Sequence, residues 1–189
     1  MSLVEDRILQ SIETKQRMLE DPEIIRKIND AGAIVRSALE SGKKVLLCGN
    51  GGSASDSLHI AGELVGRFQK ERRPLPALAL TGDAVAMTAL SNDYSYEDAF
   101  ARQTEGLMKD GDVLIGLSTS GDSENVYRAI KKANEIGGKT IALLGKDGGK
   151  ISTVSELSII VPSNNTARIQ ESHILIGHII CELVEEMFQ

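Results

Sequence analysis

The spacing of apolar residues along the chain changes its period near residue 42. Before that point, Val4, Ile8 and Ile12 are four residues apart, and Asp21-Pro22 has the form of an N-cap followed by proline at the first helical position. After it, short continuous apolar runs alternate with longer amphipathic segments. The pattern therefore predicts helices over residues 3–41 and alternating strands and helices from there onward.

Five short apolar runs have the form of strands that are buried on both faces. They are Lys44–Cys48, Leu78–Leu80, Val113–Leu117, Thr140–Leu144 and Leu157–Val161. Continuous apolar strands that are separated by helices are typical of a parallel sheet covered on both faces. We therefore predict one α/β domain over residues 1–189. Its core, residues 43–189, is a three-layer αβα sandwich with a five-stranded parallel sheet, and residues 1–42 form an N-terminal helical extension.

Composition narrows the class of protein further. Apolar residues make up 41% of the 189 residues, enough for a full core, and the net charge of −6 argues against a nucleic-acid-binding surface. The densest basic cluster, Lys70–Arg73, is interrupted by Glu71, and we interpret it as a solvated helix end. Cys48 and Cys181 both lie in apolar runs, which predicts buried, reduced thiols.

The N-terminal segment and the apolar runs together indicate the compartment. Charges from Glu5 onward interrupt the N-terminal segment, so it lacks the apolar region of a signal peptide. No apolar stretch approaches the roughly 18 residues that a membrane span needs. We therefore expect a cytoplasmic protein without a membrane or nucleic-acid partner.

Two loops that follow predicted strands carry residues suited to holding a phosphate. Gly49–Ser53 allows close backbone approach and places Ser53 at a helix start. The second loop brings four hydroxyls to another helix start, namely Ser118, Thr119, Ser120 and Ser123. Serine and threonine are also ordinary N-caps, but four hydroxyls in six positions exceed what capping needs. Hydroxyls and free N–H groups at a helix N-terminus suit a phosphate monoester.

Two nucleotide-binding motifs compete with this interpretation. A Walker A loop requires Gly-Lys-Ser or Gly-Lys-Thr, which Gly49–Ser53 lacks. The same loop fits the loose dinucleotide pattern if Ala54 takes the last place, but that pattern also needs an acidic residue about 20 positions later. The second strand instead ends near Asp83. We therefore predict no nucleotide cofactor.

A few polar residues stand out on two helical segments. His59 and Glu63 are four residues apart and share a face of the helix after the glycine loop. On the apolar final helix, Gln170 and His178 are about 80° apart around the axis, while His173 points elsewhere. Each of these residues alone is explained by a solvated pair or a hydrogen-bonded core side chain. In combination they indicate a site, because polar groups buried together need partners.

In this combination and order, the motifs resemble those of the phosphoheptose isomerases, which are sugar-isomerase (SIS) domain enzymes with a flavodoxin-like fold. The resemblance runs over nearly the whole chain. It rests on Cys48–Ser53 with His59 and Glu63, on Ser91–Asp93, Ser118–Ser123 and Gly145–Gly149, and on Arg168–Glu171 with His173 and His178. The Gly-Asn-Gly-Gly-Ser and Ser-Thr-Ser-Gly motifs mark SIS domains broadly, and the set of Glu63, Gln170 and His178 is more specific.

The resemblance implies an activity and the residues that carry it. Similar enzymes interconvert sedoheptulose 7-phosphate and D-glycero-D-manno-heptose 7-phosphate, the first step of nucleotide-activated heptose biosynthesis for glycans such as lipopolysaccharide. By resemblance, Glu63 and His178 are the acid–base pair, and some members hold Zn2+ at a site like His59, Glu63, Gln170 and His178. The implied substrate contacts are Asn50, Gly51, Gly52, Ser53, Glu63, Asn92, Asp93, Ser118, Thr119, Ser120, Ser123 and Gln170.

The chemistry of moving a carbonyl between C2 and C1 agrees with these assignments. A base removes a carbon-bound proton to give an enediol, and an acid serves the oxygens, so no redox cofactor is needed. Glu63 is the expected base and His178 the expected acid, with roles exchanged in the reverse direction. Zinc would polarise the carbonyl, but coordination would also lower the basicity of Glu63.

Two other functions stay open at this point. Some SIS proteins are non-catalytic binding modules, but one such relative lacks the Glu and His that this chain keeps at Glu63 and His178. An isomerase of another ketose phosphate is the second alternative, because side-chain distances set the accepted sugar length. The chain also has Ala167 where some relatives carry an acidic residue that contacts the substrate, and that contact cannot be carried over.

The final helix carries a prediction about assembly. It is apolar almost all round, so it must be covered on several faces. We expect the sheet to cover one face and N-terminal helices from neighbouring subunits to cover another. Similar enzymes are tetramers with active sites between subunits, so we expect a homotetramer.

Overall fold

The structure, a computed structural model, describes residues 2–188 and contains seven α-helices and five strands over that range. The helices are α1 (Leu3–Glu20), α2 (Pro22–Glu40), α3 (Gly52–Val65), α4 (Ala84–Asp93), α5 (Ala99–Leu107), α6 (Glu124–Ile136) and α7 (Thr166–Glu185). The strands are β1 (Val45–Gly49), β2 (Ala77–Ala79), β3 (Val113–Ser118), β4 (Lys139–Leu144) and β5 (Leu157–Ile160). A short 3-10 turn covers Lys150–Thr153.

The five strands form one parallel sheet in the order β2-β1-β3-β4-β5, which confirms the predicted fold class. The strand order reverses at β1, since the chain crosses from β2 on one side to β3 on the other. In open α/β sheets such a reversal creates a crevice beyond the carboxyl ends of the strands. Gly49 pairs with Leu117 at that edge, so the loops after β1 and β3 leave the sheet side by side.

Helices cover both faces of the sheet because neighbouring strand side chains point to opposite sides. Val45 and Leu47 enter a core built with α2, α3 and α7. Leu46 and Cys48 enter a second core built with α5 and α6. Cys48 and Cys181 are buried free thiols, as predicted, and burial raises the pKa of each to about 12.

The N-terminal helices begin and end at residues that the sequence indicates. Asp21 caps α2, accepting hydrogen bonds from the backbone N–H groups of Glu23 and Ile24, and Pro22 occupies the first helical position. Ser2 and Glu5 form a capping box at α1. These details confirm two helices where the periodicity predicts a helical segment over 3–41.

The final helix α7 is contacted by α1 and α2 of its own chain, and additional cover by helices of neighbouring subunits stays a prediction. One expectation about packing is wrong. The cluster Lys70–Arg73 is not a solvated helix end, because α3 ends at Val65 and the side chain of Arg72 is wholly buried against Glu185. Burial opposes ionisation of Glu185, but three backbone N–H groups and Arg72 hold its pKa below the usual value.

His173, whose role the sequence leaves open, lies wholly buried on α7. Its Nε2 lies 3.0 Å from the carbonyl oxygen of Leu144, at the end of β4. A carbonyl only accepts, so Nε2 carries the proton, and Nδ1 is buried without a partner among the described residues. Burial lowers the pKa of His173 to about 4, against the opposing effect of the Leu144 hydrogen bond.

We expect His173 to make the fold sensitive to mild acid. Because its folded pKa lies below the ordinary 6.5, the unfolded chain binds the proton more readily, and the free energy of unfolding falls as pH drops from 6.5 toward 4. This one group should account for roughly 2–3 kcal/mol of the loss. The variant His173→Gln keeps an N–H donor but cannot titrate. Urea unfolding at pH 7 and pH 4.5 should show a smaller loss in the variant, and equal losses would contradict the assignment.

Candidate active site

The turn after β3 gathers hydroxyl groups at the N-terminus of α6. Ser118 Oγ lies 2.9 Å from Ser123 Oγ and 3.5 Å from Ser120 Oγ, and it accepts the backbone N–H of Gly121. Ser123 holds the N-cap position of α6, yet its hydroxyl makes no capping hydrogen bond and instead faces Ser118. Thr119 lies between them and is half-buried. The hydroxyls therefore converge with each other, which suits an anion better than capping does.

Close backbone packing holds this turn against the loop after β4. Gly121 has φ +75°, and a Cβ there would lie 2.1 Å from the carbonyl oxygen of Gly148. Only glycine combines that φ with that approach. The Gly145–Gly149 motif thus supports the hydroxyl turn from behind.

The glycine loop after β1 begins α3 and meets α7. Gly51 has φ +57° and precedes the first residue of the helix, Gly52. A Cβ on Gly52 would lie 2.3 Å from Gln170 Nε2, so the Gln170 amide packs directly on this backbone. Ser53, expected at the helix start, lies in the first turn and is buried rather than acting as the cap.

Asn50 is fixed by two residues that the motifs do not single out. It exchanges amide hydrogen bonds of 2.9 Å with Asn125, a buried residue of α6, and Tyr96 Oη donates to Asn50 Oδ1 at 2.7 Å. Asn125 in turn accepts the N–H of Val126. Its position two residues after Ser123 is the sequence signal that points to it.

Helices α3 and α7 bring three candidate metal or acid–base side chains to one point. His59 Nε2 lies 2.9 Å from Glu63 Oε1 and 3.3 Å from His178 Nε2. The close approach depends on Gly177, where a Cβ would lie 2.4 Å from Ile60 Cδ1. His59 is half exposed and Glu63 is less so, which leaves the cluster open to a small molecule.

Two further residues adjoin this cluster. The Phe68 ring stacks on His178, with centroids 5.0 Å apart and planes at 21°. Asp56 lies one turn before His59 on α3, and its buried Oδ2 has no hydrogen-bond partner within residues 2–188. Burial raises the pKa of Asp56, and the neighbouring imidazoles of His59 and His178 oppose that shift.

Asn92 and Asp93 are less closely tied to the other residues. Both are exposed at the end of α4, where Asn92 Nδ2 donates to Asp93 Oδ1 at 2.9 Å. The following segment reaches the glycine loop through Tyr96. Their expected substrate contact stays a prediction.

The three converging donors fit a metal ion. The donor atoms of His59, Glu63 and His178 lie within 4.8 Å of one another, and within residues 2–188 this is the one such grouping of three. Two imidazoles and one carboxylate are a donor set that zinc accepts, with a further position left for another ligand. Gln170, the fourth expected ligand, packs its side-chain amide against Gly52 of the glycine loop. Within residues 2–188 it makes no hydrogen bond to these three side chains.

The fold and the site define the class of protein. The sequence matches the SIS domain family over residues 10–145, and the chain belongs to that family. A phosphoheptose isomerase from Nitratiruptor sp. is 55% identical over 98% of both chains, and that from Aquifex aeolicus is 58% identical over 86% of this chain and 85% of its own. The solved phosphoheptose isomerase from Neisseria gonorrhoeae is 40% identical over 97% of both chains, with a TM-score of 0.91. Within the SIS family, this chain belongs to the phosphoheptose isomerases.

The hydroxyl turn makes a prediction about phosphate binding. Ser118→Ala or Ser123→Ala should weaken binding of a sugar phosphate roughly 10- to 100-fold, the value of a hydrogen bond to a charged group. Ser37→Ala, on the exposed face of α2, is the matched control. Calorimetric titration with sedoheptulose 7-phosphate measures the change. Unchanged affinity with a lower melting temperature would reduce these hydroxyls to a structural role.

Proposed function

We propose that this protein interconverts sedoheptulose 7-phosphate and D-glycero-D-manno-heptose 7-phosphate, with Glu63 and His178 as its acid–base pair. The observation that carries the proposal is the meeting of these two side chains between α3 and α7, in a chain similar over nearly its full length to phosphoheptose isomerases. The product would enter nucleotide-activated heptose biosynthesis, the source of heptose in lipopolysaccharide.

Glu63 takes the carbon-bound proton and His178 serves the oxygens. Removal of a proton from C1 of the ketose gives an enediol, and return of a proton to C2 gives the aldose. In the reverse direction the same groups act on C2 and C1. His59 contacts both side chains and so fixes their positions relative to each other.

The phosphate and the sugar chain are held by different loops. Ser118, Thr119, Ser120 and Ser123 bind the phosphate, whose charge the N-terminus of α6 also favours. The remaining sugar contacts are proposed at Asn50, Gly51, Gly52, Ser53, Asn92, Asp93 and Gln170. Support for Asn50 comes from the three hydrogen bonds by which Asn125 and Tyr96 fix its amide.

Glu63→Gln tests the base. The substitution keeps the shape of the side chain but removes its ability to take a proton, so kcat should fall at least about 100-fold. KM should change little, because the phosphate contacts remain. Glu135→Gln, exposed on α6, is the control. The aldose phosphate is quantified from sedoheptulose 7-phosphate, and near-normal turnover in Glu63→Gln would refute the assignment.

Zinc is proposed at His59, Glu63 and His178, with Gln170 completing the set. When bound, the ion polarises the carbonyl of the substrate. The convergence of the three donor atoms supports a zinc site here. Because Glu63 is proposed both as a zinc ligand and as the base, the experiment must measure metal binding and proton transfer separately.

Measuring the metal content distinguishes zinc ligation from acid–base catalysis. Purified protein should carry close to one zinc per chain, and His59→Gln should lose it, measured by elemental analysis. Exhaustive chelation should lower turnover, and readdition of zinc should restore it. Full turnover in metal-free protein would reduce His59 and Gln170 to hydrogen-bonding roles while leaving the acid–base pair in place.

The same assay separates the alternative functions. A panel of ketose phosphates of different length identifies an isomerase of another sugar. A non-catalytic binding module would bind these compounds and leave all of them unchanged. The presence of both Glu63 and His178 favours catalysis over binding alone.

A homotetramer in the cytoplasm is also proposed. Helix α1 is contacted by α2 and α7 but leaves a stripe of apolar residues exposed, including Val4, Ile8 and Ile12. Beside the edge strand β2, an open groove of about 640 Å³ exposes Leu58 and Val85. Exposed apolar surfaces of this kind mark protein interfaces. No helix within residues 2–188 is long and apolar enough to cross a membrane.

A further inference from the structure

The segment between α3 and β2 is organised by a buried ion pair that the proposed chemistry does not use. The side chains of Arg72 and Glu185 are 0% and 1% exposed, and Arg72 Nε lies 3.0 Å from Glu185 Oε1. Buried charges are costly unless their remaining donors and acceptors are also satisfied. The partners of this pair therefore show which parts of the molecule it holds together.

Glu185 fixes the backbone that follows α3. Its carboxylate accepts the N–H groups of Phe68 and Gln69, each at 2.8 Å, and that of Lys70 at 3.0 Å. Three consecutive N–H donors on one carboxylate leave this stretch little freedom, because each hydrogen bond constrains a different peptide.

Arg72 fixes the end of α3. Its Nη2 donates to the carbonyl oxygen of Glu63 at 2.7 Å, and its Nη1 donates to those of Leu64 and Gly66 at 2.9 and 3.0 Å. The last carbonyls of a helix have no partner within the helix, so the guanidinium acts as a buried C-terminal cap. The backbone that carries Glu63 is thereby tied to α7.

The same arrangement places an aromatic ring on the candidate acid. His178 and Glu185 are seven residues apart, about two turns, so they lie on one face of α7. The peptide that Glu185 binds carries Phe68, whose ring stacks on His178. The same imidazole also meets the ring of His59, with centroids 5.0 Å apart and planes at 65°.

We propose that Phe68 is a positioning residue of the site, whose ring sets the plane of the His178 imidazole while the Arg72–Glu185 pair holds the ring in place. The final torsion of a histidine side chain has only broad preferences, so neighbouring contacts select the ring plane. A flat ring selects one plane through stacking, and an aliphatic side chain of similar volume does not. The kinetic consequence rests on the proposed function, whereas the geometric consequence does not.

Three variants test the ring. Phe68→Leu removes it, Phe68→Tyr retains it, and Phe188→Leu removes a half-buried ring that lies near Arg73 instead of His178. We expect Phe68→Leu to lower kcat roughly 10- to 100-fold with KM within about twofold of the parent, because only orientation at the reacting end changes. Phe68→Tyr should restore kcat, and Phe188→Leu should keep it. If Phe68→Leu folds poorly, Phe68→Met makes the same comparison.

A spectroscopic readout keeps this test independent of activity. In NMR spectra of protein isotopically labelled on its three histidines, the stacked Phe68 ring should shift the ring-proton resonances of His178 upfield. The resonances that disappear in His178→Gln identify those of His178. Phe68→Leu should remove the shift, and Phe68→Tyr should preserve it. A loss of the shift in a protein that lacks isomerase activity would support the positioning role and refute only the proposed function.

The ion pair is tested in the same way. Glu185→Gln weakens the hydrogen bonds to the backbone of residues 68–70 and should reduce both the upfield shift and kcat. The control is Glu186→Gln, which changes the neighbouring, exposed side chain and should alter neither. The proposal is overturned if the His178 resonances in Phe68→Leu match those of the parent, or if Phe68→Leu and Phe188→Leu give the same kcat.

Discussion

The close packing of α3 on α7 at Gly177 is the contact on which the candidate site depends. A side chain at that position would meet Ile60 at 2.4 Å and push the two helices apart. His59 precedes Ile60 and His178 follows Gly177, so the two imidazoles flank this contact although they are 119 residues apart in the chain. On another face of α7, α2 approaches equally closely at Gly32, where a Cβ would lie 2.6 Å from Leu183. Helix α7 is therefore clamped by two glycine contacts, and its polar side chains project from a fixed position.

The sheet topology gives the site its second constraint. Since β1 and β3 are neighbours at the reversal of strand order, the glycine loop and the hydroxyl turn leave the sheet together. One continuous segment, residues 49–65, forms the glycine loop and then the helix that carries His59 and Glu63. The glycine loop and the hydroxyl turn thus lie at one edge of the sheet, and His59 and Glu63 project from the helix that begins at that edge.

Much of the fold follows from the sequence because its signals are local. The apolar runs mark all five strands to within one or two residues, and Asp21-Pro22 separates α1 from α2. Helix α5 was not predicted, since its single buried face is formed by few apolar residues, among them Ala99 and Phe100. The convergence of Glu63 and His178 was expected only from family resemblance, because spacing within each helix does not reveal which helices touch.

The buried pair of Arg72 and Glu185 shows where sequence reasoning fails. Arg72 stands in a charged cluster and Glu185 near the end of a helix, and both positions are ordinarily solvated. Their burial depends on a contact between segments more than 110 residues apart, and each charge is tolerated only because the other is present. Phe68 and Asn125 likewise acquire their positions from tertiary contacts with His178 and Asn50.

The measurement that most directly tests proton transfer by Glu63 is solvent hydrogen exchange during turnover. Sedoheptulose 7-phosphate would be incubated with the protein in D2O, and the product analysed by NMR at C2. Transfer through an enediol and a carboxylate base exposes the proton to solvent, so deuterium should accumulate at C2 over repeated turnovers, and Glu63→Gln should abolish it. Complete retention of the substrate's own hydrogen over many turnovers would indicate direct hydride transfer and contradict the mechanism.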